Sequence, residues 1–227
     1  MSLPPLDPPI EIETQPSPTH AVIWLHGLGA DGNDFAPIIP QLALPADSAI
    51  RFIFPHAPQR PVTCNAGYVM RAWYDIYSLD SLDREDSKGL EQARDIVDTL
   101  IRREMARGIP PQRIVLMGFS QGGAVALYAG LRYPQTLAGI GGLSCYLPMQ
   151  STTAEQLHPA NRHTPIFLAH GQYDPVVRYL LGERTYHWMQ QNQLPVSWHE
   201  YAMEHSVCLE EIDDIAQWLG HCLSKDD

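Results

Sequence analysis

Ser120 lies in Gly118-Phe119-Ser120-Gln121-Gly122, a G-x-S-x-G pattern. The apolar run 114–117 reads as a strand, and residues 123–129 read as the start of a helix. A strand, a tight turn and a helix with serine at the tip describe a nucleophile elbow, which presents the hydroxyl for attack on an acyl carbon. The turn needs small residues two before and two after the serine, and Gly118 and Gly122 meet that need. The first amides of the helix have no acceptor within it and carry the positive end of its dipole, so they favour an oxyanion beside the serine. The competing reading is a glycine-rich turn with an inert serine. The rest of the chain decides between them.

A serine nucleophile needs a base, and the base needs an acid that orients it. In the α/β-hydrolase order, acid and then histidine follow the serine. In open α/β sheets the chemistry sits beyond the carboxyl ends of the strands, so both should lie in loops just after strands. Among the acids, Asp174 fits: the strand-like run 165–170 leads into Gly171-Gln172-Tyr173-Asp174-Pro175, a turn that presents the carboxylate. Glu155 and Glu183 fall in helical or poorly placed segments, and Glu200 lies within a strand. Four histidines follow Asp174. His187 and His221 are in helical runs and His199 is mid-strand. His205 alone lies between the strand 196–201 and the last helix.

The oxyanion hole needs one donor from the residue after the nucleophile, Gln121, and a second from the loop after an early strand. That loop is His26-Gly27-Leu28-Gly29-Ala30-Asp31-Gly32. Its glycines allow close backbone approach, and Leu28 is the expected donor. His26 and Asp31 are expected to hold the loop's shape.

Six strand-like runs, 21–26, 50–55, 113–119, 138–144, 165–170 and 196–201, alternate with helical segments at 33–42, 89–107, 120–133, 177–193 and 208–223. In 89–107, Leu90, Ala93, Val97, Leu100 and Ile101 recur at helical spacing, and Gly108 and Pro110 end the element. Several strands are continuously apolar, as in a sheet covered on both faces. The fold class is therefore α/β, with a mostly parallel central sheet and helices on both faces in a single domain spanning 1–227, and the nucleophile-elbow motif makes it an α/β-hydrolase fold. Residues 1–18, rich in proline and acid, are expected to be extended or poorly ordered. Residues 59–86 show no period and carry Tyr68, Trp73, Tyr74 and Tyr77, as a flap lining a substrate pocket would.

Composition narrows the partners. A formal net charge of −11 argues against nucleic acid and against a basic membrane patch. No apolar run is long enough to span a bilayer, and the N-terminus lacks a signal peptide's basic start and apolar core. Cys64, Cys145, Cys208 and Cys222 form no C-x-x-C pair and read as reduced thiols of a cytoplasmic protein. The ten histidines include no spaced metal-ligand set, so no metal site is expected.

These residues resemble the acyl-protein thioesterase and carboxylesterase family, the phospholipase/carboxylesterase group of α/β hydrolases. The resemblance rests on Trp24–Gly32, on Phe54-Pro55-His56-Ala57-Pro58 and on Trp73-Tyr74-Asp75-Ile76. It rests also on Gly118 to Gly123 and on His170-Gly171 with Asp174-Pro175-Val176-Val177. It covers the chain from about residue 21 to the last helix. It implies hydrolysis of carboxylic esters or acyl thioesters of small to medium chain length, through an acyl-enzyme on Ser120 and without a cofactor. It further implies the triad Ser120, Asp174 and His205, oxyanion donors at Leu28 and Gln121, and an apolar acyl pocket with Trp73 near its mouth and Tyr68 on its lining. An acylated protein or a lysophospholipid would be the physiological substrate, and the protein a monomer or homodimer. The chain departs from the family pattern at Glu204, where glycine usually precedes the histidine. The rival readings are a silent hydrolase fold that binds an acylated ligand, and another α/β hydrolase such as a lactonase or peptidase.

Overall fold

The computed structural model describes residues 7–78 and 84–224. In chain order the elements are β1 (Ile10–Glu13), β2 (His20–Leu25), β3 (Ile50–Phe54), β4 (Gln59–Val62), β5 (Tyr68–Arg71), α1 (Ser87–Ala106), β6 (Ile114–Phe119) and α2 (Gln121–Gly130). They continue with β7 (Gly139–Leu143), α3 (Gln150–Gln156), β8 (Ile166–Gly171), α4 (Tyr179–Gln191), β9 (Val196–Tyr201) and α5 (Leu209–Leu223). Seven strands form one sheet in the order β1-β3-β2-β6-β7-β8-β9. All its pairs are parallel except β1 with β3.

The strand order explains where a site forms. From β2 the chain steps to β3 on one side, then returns to β6 on the other side of β2. The connections after β2 and after β6 leave in opposite directions, which opens a crevice between the carboxyl ends of these two strands. Leu25 pairs with Gly118 at that end. The loop after β2 and the turn after β6 are therefore neighbours.

The apolar pattern holds the sheet between two layers. Residues 21–25 of β2 are all buried, and they alternate between faces as strand geometry requires. Ala21, Ile23 and Leu25 join Leu90, Val97 and Ile101 of α1 and the body of α2 on one face. Val22 and Trp24 join Phe52, Phe54, Ile215 and Leu219 of β3 and α5 on the other. Each such aliphatic side chain contributes about 1.5–3 kcal/mol by leaving water. Asp86 caps α1, accepting the Gly89 amide at 3.0 Å. Gly108, at φ 94°, ends it.

Two expectations change and one, the extended terminus, gains detail. Within 1–18, Ile10–Glu13 form an edge strand registered against Arg51–Phe54, so this part of the terminus is integral to the sheet. Within 59–86, β4 and β5 form a two-stranded antiparallel hairpin, and residues 79–83 lie outside the described residues. Residues 33–42 yield no α-helix: Pro37 and Pro40 lack amide donors, and Ala36–Leu42 winds as a 3₁₀ segment.

Candidate active site

Ser120 has φ 54° and ψ −120°, a conformation that L-residues adopt only when their surroundings enforce it. The enforcement is visible at the flanking glycines. A Cβ on Gly118 would lie 2.4 Å from the carbonyl carbon of Gly122, and one on Gly122 would lie 2.3 Å from the Leu25 carbonyl oxygen. The elbow is thus pressed against its own backbone and against the end of β2. The Ser120 amide donates to Leu143 O at 2.8 Å and its carbonyl accepts from Ala124 at 3.0 Å, which fixes the turn from both sides.

The loops after β8 and β9 supply the partners. Gly171 ends β8, and a Cβ there would meet the Glu204 and Met203 carbonyl oxygens at 2.3 and 2.5 Å. This close approach brings Asp174 beside His205. His205 Nδ1 lies 2.6 Å from Asp174 Oδ2, and His205 Nε2 lies 2.9 Å from Ser120 Oγ. Asp174 Oδ1 accepts the amides of Val176 and Val177 at 2.8 and 2.9 Å. Burial opposes the carboxylate's charge, but the His205 bond and these two amides outweigh it and hold the Asp174 pKa below its ordinary value. An ionised Asp174 accepts from Nδ1–H, which leaves Nε2 free to accept from the serine hydroxyl. The Phe119 ring packs 4.7 Å from the His205 ring and limits its swing. Glu204 is exposed to solvent.

His170 is buried under the acid loop. Its Nε2 donates to Val177 O at 2.7 Å and sits 3.5 Å from Asp174 Oδ2. Burial lowers its pKa, so it serves there as a neutral donor.

The loop after β2 faces the elbow. The Gly29 amide is committed to Arg71 O at 2.9 Å and the Ala30 amide to Gly27 O at 3.2 Å. The Leu28 amide has no hydrogen-bond partner among the described residues. Gln121 is the first residue of α2, so its amide has no acceptor within the helix. Leu28, Ser120 and Gln121 all line one small apolar cavity of about 80 Å³, with Tyr74, Ile76 and Val177. His26 fixes the loop's base: Nδ1 donates to Gly27 O at 2.7 Å and Nε2 accepts from Ala57 at 3.0 Å. Burial lowers its pKa to about 4, which keeps the ring neutral and this bonding pattern fixed. Asp31 accepts the Asn33 amide at 2.7 Å and turns the loop's far end.

Ser120, Asp174, His205, Leu28 and Gln121 are thus brought together. Trp73 and Tyr68 are not part of the cavity. Trp73 is 0 % exposed and donates its indole N–H to His26 O at 2.9 Å, so it lies beneath the oxyanion loop and not at a pocket mouth. Tyr68 is 71 % exposed, on β5 of the hairpin. The reason is local. The hairpin lifts Tyr68 outward, and the chain then turns inward at Ala72, whose amide bonds Pro58 O at 3.0 Å. Sequence reasoning missed Tyr146, Val177 and Leu181 in the cavity wall. Tyr146 and Val177 lie in the loops after β7 and β8, where the strand-end rule that located Asp174 points, whereas Leu181 lies in the first turn of α4. A larger cavity of about 360 Å³, lined by Thr19, Pro45, Ile50 and Leu223, opens at the amino ends of β2 and β3, remote from Ser120. Among the described residues no helix is long and apolar enough to cross a membrane.

Residues 9–223 match the sequence profile of the phospholipase/carboxylesterase family. The chain belongs to that family. Phospholipase/carboxylesterase relatives of high similarity include acyl-protein thioesterase 1 of Neurospora crassa, 40% identical over 96% of this chain and 93% of that one. Acyl-protein thioesterase 1 of Mycosarcoma maydis is also 40% identical, over 89% and 90%. Among solved structures, SOBER1 of Arabidopsis thaliana superposes with a TM-score of 0.85 at 33% identity, over 90% of this chain and 99% of that one. Acyl-protein thioesterase 2 of Zea mays gives 0.81 at 30%, over 95% and 99%. The mostly parallel sheet expected from the strand pattern and the α/β-hydrolase fold expected from the motifs are the fold observed. As a phospholipase/carboxylesterase family member, the protein is a serine hydrolase acting on carboxylic esters or acyl thioesters.

Proposed function

We propose that Ser120, His205 and Asp174 are the catalytic triad of this hydrolase and that the amides of Leu28 and Gln121 form its oxyanion hole. The carrying observation is the unbroken chain of contacts from Asp174 through His205 to Ser120, at 2.6 and 2.9 Å, beside an apolar cavity. Ser120 Oγ attacks the acyl carbon as its proton passes to His205 Nε2. The carbonyl π electrons move to oxygen, where the two amides receive them. The imidazolium, stabilised by Asp174, then gives the proton to the departing alcohol or thiol as its bond to carbon breaks. Water repeats the sequence on the acyl-enzyme, with His205 again taking and returning the proton. Asp174 does not itself become protonated in this cycle, in keeping with its lowered pKa.

The substrates we propose are proteins acylated through a thioester, with an acyl group of small to medium length. The names of the fungal relatives support the thioester, and the small apolar cavity supports the modest acyl length. The test compares turnover of an S-acylated peptide with the matching oxygen ester, for wild type and Ser120→Ala. Thioester turnover that disappears in the variant supports the reading. Turnover surviving in Ser120→Ala overturns the nucleophile, and a wild type that cleaves only the oxygen ester overturns the substrate class.

A further inference from the structure

The side chain of Gln121 has no part in the triad, yet it is buried and its amide group is held at both ends. Its Oε1 accepts the Trp73 backbone amide at 2.9 Å, and its Nε2 donates to the Tyr74 carbonyl at 2.8 Å. The same short segment reaches the other half of the oxyanion hole, because the Trp73 indole donates to His26 O at 2.9 Å. The His26 and Trp73 rings are 5.2 Å apart. Residues 73 and 74 therefore touch both strand ends that carry the two oxyanion donors. The residues around them are anchored in turn. Ala72 bonds Pro58 O, and the Asp75 amide bonds Asp86 Oδ2 at 2.9 Å. Asp75's carboxylate holds the Thr63 amide at 2.7 Å. Tyr74, finally, lines the acyl cavity beside Ser120.

We propose that Gln121 and the Trp73–Tyr74 segment form a positioning strut that sets the spacing of the two oxyanion amides and couples it to filling of the acyl cavity through Tyr74. This rests on the assignment of Ser120 as nucleophile and of the Leu28 and Gln121 amides as oxyanion donors. A side-chain amide clamped at both ends loses its torsional freedom, so the backbone amide of the same residue is aimed as well. An acyl chain pressed against Tyr74 loads the segment that holds that amide. The strut then acts on the transition state and not on substrate binding, because oxyanion donors strengthen as charge develops on the carbonyl oxygen. Trp73 and Tyr74 are positioning residues here. Neither supplies a reacting atom.

The experiment is pre-steady-state acylation with p-nitrophenyl esters from acetyl to octanoyl. It resolves the binding constant from the acylation rate constant for wild type, Gln121→Met and Trp73→Phe. Wild-type acylation should speed up with chain length until the cavity is filled. In Gln121→Met the rate constant should fall about 30- to 100-fold and lose its dependence on chain length, while the length dependence of binding stays as in wild type. Trp73→Phe keeps one aromatic ring at the site and removes the indole donor with the ring that carries it. It should flatten the same dependence with a smaller loss, and it tests the strut even where Gln121→Met does not fold. Variant rate constants that follow chain length in parallel with wild type overturn the coupling, as does a wild-type rate constant that ignores chain length. Ester turnover that survives in Ser120→Ala would instead overturn the assignment on which the strut rests, so the two failures are distinct.

Discussion

Two buried carboxylates sit in different parts of the sheet and do opposite things. Glu104 of α1 is fully buried under the β1–β3 edge. It is ringed by cations: Arg51 at 2.7 Å, Arg107 at 3.1 Å and Arg103 at 3.2 Å. Glu11 and Glu13 of β1 complete the network, pairing with Arg103 at 2.7 Å and Arg51 at 2.9 Å. Asp174 bonds His205 at 2.6 Å, with His170 farther off at 3.5 Å, and the second nitrogen of His205 is aimed at a hydroxyl. A carboxylate surrounded by arginines is locked, since arginine does not release its proton. A carboxylate joined to histidine leaves a group that takes and returns a proton near neutral pH. Charge burial is common to both clusters. The identity of the partner decides whether it serves stability or chemistry.

That contrast can be broken in graded ways. The largest effect should come from Ser120→Ala, with kcat falling about 10⁴- to 10⁶-fold while the melting temperature holds, read by ester hydrolysis beside calorimetry. Asp174→Asn comes next, costing about 10⁴-fold in kcat, because the imidazole loses its fixed tautomer and its charge stabilisation. Glu104→Ala should behave in the reverse sense: about 3–5 kcal/mol of stability lost in urea unfolding, because three arginines are left around an empty site, and kcat within about threefold at temperatures where the chain stays folded. Activity lost in proportion to stability would erase the distinction between the two clusters.

Glu211 sharpens the comparison as a third buried carboxyl. It sits in the first turn of α5, no cation pairs with it among the described residues, and burial lifts its pKa from 4.5 to about 8. The folded protein keeps a proton on Glu211 that the unfolded chain gives up. The stability this confers is complete below about pH 4.5 and is lost as pH rises through about 8. Glu211→Gln, which mimics the protonated form, should gain on wild type as pH rises from 5 to 8, by on the order of 2 kcal/mol at the upper end. Melting temperatures of the two proteins that run parallel over that range would contradict it.

Much of the site was legible because catalysis ties residue type to place. A serine between small residues at a strand end, an acid after a later strand and a histidine after the next leave few choices, and Asp174 and His205 emerge from that filter. The parts not legible were those with weak local signals. The alternation Ile-Glu-Ile-Glu of β1 is four residues long and follows a proline-rich start. In β4, Pro61 speaks against a strand, although a two-stranded hairpin tolerates it. Trp73 was misplaced because an aromatic residue near a pocket and one beneath it look alike in sequence. Its tertiary partner, the carbonyl of His26, separates the two.

The antiparallel pairing of β1 carries a practical consequence for anyone who shortens this chain. β1 covers the outer hydrogen-bonding edge of β3, and its glutamates meet the arginines behind that edge. Removing residues 1–13 would bare a continuous row of backbone donors and acceptors on β3, a five-residue strand with every residue buried in the intact protein. Such an edge is a template for pairing with another chain. A trimmed protein should self-associate through β3 with its triad still assembled at the far ends of β6, β8 and β9, active in dilute solution and lost to aggregation as concentration rises.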